Sequence, residues 1–282
     1  MEHEARLALF WILHPALLGL FTAMCVYIAA VWLRARLPGL PPDASRWQKL
    51  WALLGRVLQF IFSRKLWPFL KALVLDGMIH RRLLAVSPLR WLIHIAVFGS
   101  FALLGLISIV TGVAVEILPG LFPADHPLNT NVFVLALRDP DYPAVAFVNE
   151  VLGLIIVVGM LGALYRRYVW KDPQLRTSGS DTFVLLLITF ISVGGFLLES
   201  FRLLAKQPFA PTAGWAFFGY NLALALKPLN WDWVFWYNFS FWVHVGAVHL
   251  LLFYAPFSRF AHVVMSPLAA ALNSMPLEEA PA

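Results

Sequence analysis

Five windows of about twenty or more residues, near 8–33, 91–113, 144–165, 182–204 and 234–258, are almost free of charge. That length is what a hydrocarbon layer of roughly 30 Å demands, since a helix rising about 1.5 Å per residue needs about 20 apolar residues to cross it. Composition agrees: 61% of the 282 residues are hydrophobic and 13% charged, against about 25% charged in a soluble domain. The expectation is an all-α integral membrane protein. Five transmembrane helices form a single membrane domain over residues 1–282, with residues 34–90 as an amphipathic loop. The first window is too long for a secretory leader, no basic cluster lies between Met1 and Phe10, and no small-residue cleavage site follows, so it is read as the first span.

Several chemistries are excluded. Cys25 is the lone cysteine and falls inside the first span, so the chain has no disulfide framework, CxxC motif or ligand set for an iron–sulfur cluster. Any such cluster belongs to a partner. Neither GxGxxG nor GxxxxGK[ST] occurs, and no role with nucleotides or nucleic acid is expected.

The net charge of +6 is unevenly spread. Residues 34–90 hold eleven Lys or Arg against Asp43 and Asp76, whereas 114–143 sets Arg138 against Glu116, Asp125, Asp139 and Asp141. The 166–181 link returns to Arg166, Arg167, Lys171 and Arg176. The positive-inside rule then places the N-terminus outside and the C-terminus in the cytoplasm of a multi-pass inner (cytoplasmic) membrane protein. Connection 205–233 contributes few charges, but Trp231, Trp233, Trp236 and Tyr237 suit an interfacial aromatic belt. Within the long loop, Trp47, Leu50, Leu54, Val57, Leu58 and Ile61 recur at helical spacing among basic residues. They read as one or two amphipathic helices on the inner surface, in contact with lipid headgroups or serving as a platform for a cytoplasmic subunit.

Ionisable groups inside a span are costly and therefore functional candidates. Histidine can stay neutral there and is a standard axial ligand of heme iron. His244 and His262 are eighteen positions apart, which on one helix returns to the same face about 27 Å further along. His249 points about 140° away from His244. Two imidazoles near opposite ends of one span suit two stacked metal centres, each needing a second ligand from another helix. His94, near the cytoplasmic end of the second span, matches His262 in depth; His14 on the first span is the nearest match for His244, with His249 in competition. Taken singly, His14 or His249 also reads as a histidine that only hydrogen-bonds a neighbouring helix. His80 beside Arg81 and Arg82 reads as a surface residue, and His3 and His126 receive no role.

The pattern His244, Pro256-Phe257-Ser258-Arg259, His262, Ser266-Pro267 resembles the last span of the gamma subunit of respiratory nitrate reductases. The wider family includes membrane cytochromes of heterodisulfide reductase and of sulfite-reductase-associated complexes. The stretch "SPLRWLIHIAVFGSFALLGL", with His94, resembles the family's second span. The resemblance implies heme b, two expected: an inner heme on His94 and His262, and an outer heme on His244. The family's further ligand, ten residues along the second span, is Leu104 in this chain. That departure leaves three arrangements: His14 supplies the ligand, which is the one preferred; His249 enters a rearranged site; or the inner heme alone is present. Arg259 would face a heme propionate, or simply anchor the span at the headgroups.

The resemblance further implies a quinone or quinol site near the outer heme. Span four ends in "VGGFLLESFRLL", where Gly194 and Gly195 permit close approach and Glu199 and Arg202 are spaced i, i+3 on one face. Glu199 is the candidate acceptor of a quinol proton, with Arg202 its partner and Glu150 the second choice; the plain alternative is a Glu/Arg pair closing a helix end. Lacking terminal chemistry of its own, the chain is expected to serve a cytoplasmic iron–sulfur subunit docked on residues 34–90. A periplasmic cytochrome or another membrane subunit would lie opposite the 114–143 loop. The rival readings are a heme-free membrane anchor or assembly subunit, a transporter, and a cytochrome b561-like or formate-dehydrogenase-type subunit. The transporter lacks paired discontinuous helices, and the last class calls for four spans and another histidine layout.

Overall fold

The computed structural model describes residues 3–175, 178–257 and 262–273. Among them every regular element is a helix. Five helices are long and apolar enough to cross a membrane: Trp11–Trp32, Pro88–Leu121, Pro143–Val169, Gly179–Ala205 and Trp233–Phe257. They coincide with the five charge-free windows and make the chain a multi-pass membrane protein. The described residues form two compact units, one within 87–251 and the other made of 3–86 together with 252–257 and 262–273.

In the Ser87–Leu251 unit, spans two and three pack tightly because Gly159 presents no side chain. A Cβ there would lie 2.9 Å from Val97 Cγ2 and 3.0 Å from the Ala96 Cβ. Span two runs about eight residues past its expected end at 113, continuing through a π-helical turn, Val113–Ile117, to Leu121. A π turn disturbs the regular ladder and leaves carbonyls available to other donors. Arg138 Nε takes the Ala114 carbonyl at 2.7 Å, while its Nη2 donates to Asn129 Oδ1 at 2.7 Å. The Asn129 amide in turn donates to the Phe122 and Pro123 carbonyls. The 114–143 connection is thereby closed on itself.

The link between spans three and four is latched by charge. Arg166 in the π turn Tyr165–Val169 lies 2.8 Å from Asp172, Arg90 lies 3.6 Å from the same carboxylate, and Arg167 lies 3.5 Å from Asp181. Ser178 and Asp181 form a capping box at the start of span four. The Gln174 N–H, with help from Arg166, holds the Asp172 carboxyl below its ordinary range. Its contribution is therefore complete above the unfolded value and is lost as pH falls through the lowered one.

The 205–233 connection, read as loop with an aromatic belt, contains a helix, Phe217–Leu226. Leu203, Leu204, Ala213 and Ala223 form a buried core beneath it, joined by Phe209, Tyr220 and Trp233. The Trp231 ring lies 5.3 Å from that of Trp236, tilted by 34°, and Trp236 also meets Phe201.

In the other unit, Lys49 Nζ caps the end of span one by donating to the Leu33 and Ala35 carbonyls at 3.2 and 3.0 Å. The amphipathic helix expected in the long loop forms over Arg46–Ile61 behind a Ser45/Gln48 capping box. A C-terminal helix, His262–Asn273, comes so close to Gly77 that a Cβ there would meet the Pro267 carbonyl at 2.8 Å. An unbroken helix from His244 to His262, which the eighteen-residue spacing requires, is not what forms. The span-five helix ends at Tyr254 and passes into a 3-10 turn, Ala255–Phe257, and a separate helix starts at His262. Pro256 is the cause, having no N–H to donate and a ring that disfavours helix in the preceding residue.

Gly159→Val should cost about 1–3 kcal/mol by overpacking, read as a lowered apparent Tm in detergent. Gly105→Val, where a Cβ meets nothing within 4 Å, should leave Tm nearly unchanged; equal behaviour of the two variants would contradict the packing described.

Candidate functional site

His244 is carried on the middle of the Trp233–Tyr254 helix. Its ring lies over the backbone of Gly194 and Gly195: a Cβ on Gly194 would sit 3.7 Å from Nδ1, and one on Gly195 3.6 Å from Cε1. No side chain from either residue comes between span four and the imidazole. His244 Nδ1 is buried and makes no hydrogen bond among the described residues. A buried polar atom left in that state carries a cost of about 1–3 kcal/mol, so it calls for an explanation.

The other histidines have contacts of their own. His94 stacks on Phe98 one turn along span two, with ring centroids 5.6 Å apart and planes 12° from parallel. His249 is 6% exposed, and its Nδ1 lies 2.8 Å from the Val245 carbonyl. A carbonyl only accepts, so in this contact Nδ1 carries the proton and Nε2 keeps its lone pair. That bond satisfies the ring within its own helix, and it is also how a ligating histidine is usually oriented. His14 lies on span one in the other unit. His262 opens the C-terminal helix, its side chain outside the described residues, as is the whole of Arg259.

One turn beyond Gly195 on the same face of span four stands Glu199, about 6 Å further along the axis. Arg202 donates to both its oxygens, Nη2 to Oε1 at 2.7 Å and Nε to Oε2 at 3.0 Å. The same guanidinium reaches Asp141, with Nη2 at 2.5 Å from Oδ1 and Nη1 at 3.3 Å from Oδ2. Glu150 on span three is 5% exposed and accepts the Phe218 N–H at 2.7 Å and the Gly219 N–H at 3.3 Å. Its carboxylate therefore sits at the N-terminus of helix Phe217–Leu226, where exposed N–H groups favour negative charge. Gly219 is wedged between the two glutamates: a Cβ there would lie 2.8 Å from Glu199 Cγ and 3.2 Å from Glu150 Oε1. The fully buried Ser200 hydroxyl fixes this approach, lying 2.9 Å from the Gly219 carbonyl and 2.7 Å from that of Phe196.

Glu199, Arg202 and Glu150, the residues expected from the sequence, are thus brought together. Three participants were not foreseen: Asp141, Ser200 and Gly219. Asp141 had a legible signal, as an acid in the Asp-Pro-Asp-Tyr-Pro turn just before span three, on the side where span four ends. Three carboxylates share one guanidinium and one helix N-terminus, so negative charge outnumbers positive in the cluster.

Fold and site define a helical, multi-pass membrane protein with an uncommitted imidazole beside a carboxylate cluster. The family model HdrE, which describes the E subunit of dihydromethanophenazine:CoB–CoM heterodisulfide reductase, matches residues 70–270, and the chain belongs to that family. It is 27% identical over 235 residues to the corresponding protein of Methanosarcina acetivorans, covering 82% of this chain and 75% of that protein. The Methanosarcina thermophila counterpart is 25% identical over 210 residues, 73% of this chain and 67% of its own length. The EtfAB:quinone oxidoreductase of Syntrophomonas wolfei is 24% identical over 140 residues, 45% of this chain but 19% of that protein. No solved structure matches the chain. Of the relatives suggested by the last-span pattern, the match falls on the heterodisulfide reductase branch. The homologues are the membrane subunit of a redox complex.

Glu150→Ala should destabilise the protein by about 1–3 kcal/mol, because the buried Gly219 N–H and the part-buried Phe218 N–H lose their acceptor. Glu150→Gln, which keeps an acceptor oxygen, should lose less, and protease cleavage within 206–232 should rise in the same order. Equal Tm values for both variants and the parent would refute the capping role.

Proposed function

We propose that this chain is the heme b-bearing membrane subunit of a redox complex, moving electrons between a lipid-soluble carrier and a cytoplasmic iron–sulfur partner. The observation that carries the reading is His244 Nδ1, buried without a hydrogen bond against the bare backbone of Gly194 and Gly195. An imidazole whose Nδ1 has no protein partner, packed on glycine backbone, fits a ligand to a metal-bearing ring. His94, His244, His262 and His14 are the residues that would hold the two hemes, and Arg259 would answer a propionate. His249, with its tautomer set by Val245, is the alternative to His14. Heme, when bound, supplies one-electron chemistry between the two-electron carrier and the one-electron clusters of the partner.

The relatives' names speak of dihydromethanophenazine in one case and quinone in the other. Both are carriers that give up two electrons and two protons on oxidation. The residues of this chain take the proton side of that balance. Glu199 stands one turn from the glycine pair and accepts a proton from the carrier's O–H or N–H. Arg202 orients it, and because Arg202 also binds Asp141, the guanidinium charge is divided between two carboxylates. Glu150 accepts the second proton, at the cost of loosening its hold on the Phe218 N–H. The proposed direction is oxidation of the reduced carrier, with protons leaving on the outer side and electrons passing inward. The orientation follows the charge asymmetry: residues 34–90 lie in the cytoplasm, where their basic surface receives the iron–sulfur subunit. The N-terminus lies outside the cytoplasmic membrane, and a periplasmic cytochrome or second membrane subunit faces the 114–143 connection.

Reduced-minus-oxidised spectra of the purified chain should show a heme b α-band that His94→Ala, His244→Ala and His262→Ala each diminish. Glu199→Gln should keep its heme yet oxidise a short-chain hydroquinone about 10²–10⁴-fold more slowly. A colourless protein would favour the anchor reading, and wild-type turnover by Glu199→Gln would remove Glu199 from the mechanism.

A further inference from the structure

We propose that helix Arg46–Ile61 lies flat in the membrane surface at the end of span one, with its apolar stripe sunk into a phospholipid leaflet. The stripe is Trp47, Trp51, Leu54, Leu58 and Ile61, spaced alternately four and three residues apart, and each side chain is 43–70% exposed. Against water this arrangement is inverted, since a surface helix normally turns such a stripe toward its own core. The polar arc is the part used by the chain itself. Lys49 and Arg56 lie about 160–180° around the helix from Trp47. Lys49, 6% exposed, donates to the Leu33 and Ala35 carbonyls, and Arg56 donates to that of Pro38. Turning the helix over to hide the stripe would break these bonds.

The same bonds set its depth. Leu33 and Ala35 follow directly on Trp32, the last residue of span one, so Lys49 pins the helix where the hydrocarbon ends. An apolar stripe at that level meets the boundary between headgroups and acyl chains, into which such helices sink about 5–10 Å. Two tryptophans in the stripe suit this zone. Arg46, Arg64 and Lys65, exposed at the two ends of the helix, face lipid phosphates with matching charge. The occupant is therefore a lipid surface, not a protein groove, and the basic residues elsewhere in 34–90 are left for a partner subunit. The seat of this helix does not depend on what the histidines carry.

The test uses the full chain with Cys25→Ala and one nitroxide at Leu54→Cys, Leu58→Cys or Gln59→Cys, reconstituted into phosphatidylcholine–phosphatidylglycerol vesicles. Power-saturation EPR should find the labels at 54 and 58 several-fold more accessible to oxygen than to a water-soluble nickel chelate, with the reverse at 59. The proposal is overturned if 54 and 58 meet the chelate as freely as 59. It is equally overturned if they are shielded from both reagents, which would mean that a second copy or a protein partner covers the stripe.

Discussion

A hydrocarbon layer offers no water, so every polar group inside it must find its partner within the chain. Most of the described polar groups in the spans obey. Thr189 and Ser192 return their hydroxyls to the Leu185 and Ile188 carbonyls, and His249 turns to Val245. Arg202 is held by two carboxylates, and Glu150 is held by backbone N–H groups. Within that discipline His244 keeps a buried nitrogen that bonds to nothing described, with glycine backbone where a neighbouring side chain would be. In a soluble protein a bridging water would settle the matter; in a span the anomaly points to chemistry.

The position of that anomaly gives it meaning. Glu199 follows Gly195 by one helical turn, so the histidine and the carboxylate cluster occupy neighbouring levels of span four. On the proposed reading, a carrier that releases electrons and protons together would find an acid one turn from the imidazole that would hold heme. Membership of the HdrE family of heterodisulfide reductase sets this pairing within the membrane subunit of a redox complex.

How much was legible beforehand follows from the range of each interaction. The spans were readable because hydropathy is local, and so was the Glu199–Arg202 pair, three residues apart. Asp141 joins Arg202 across 61 positions and Glu150 joins Gly219 across 69; a turn acid can be marked as a candidate, but no local spacing pairs residues that far apart. The extension of span two was hidden because a π turn leaves the apolar run unchanged while shifting the backbone bonds. The helix Phe217–Leu226 was hidden because its short apolar run lies in a stretch that composition assigns to loop. The helix that carries His244 ends at Tyr254 for a readable reason, Pro256 in the 3-10 turn that follows.

The central claim is that iron porphyrin sits between imidazoles of this chain. EPR of the oxidised protein in its native membranes tests it most directly. The account predicts low-spin ferric signals of bis-imidazole type, two of them if both hemes are present. Absence of any ferric heme signal, or a purely high-spin signal from iron with one protein ligand, would contradict it.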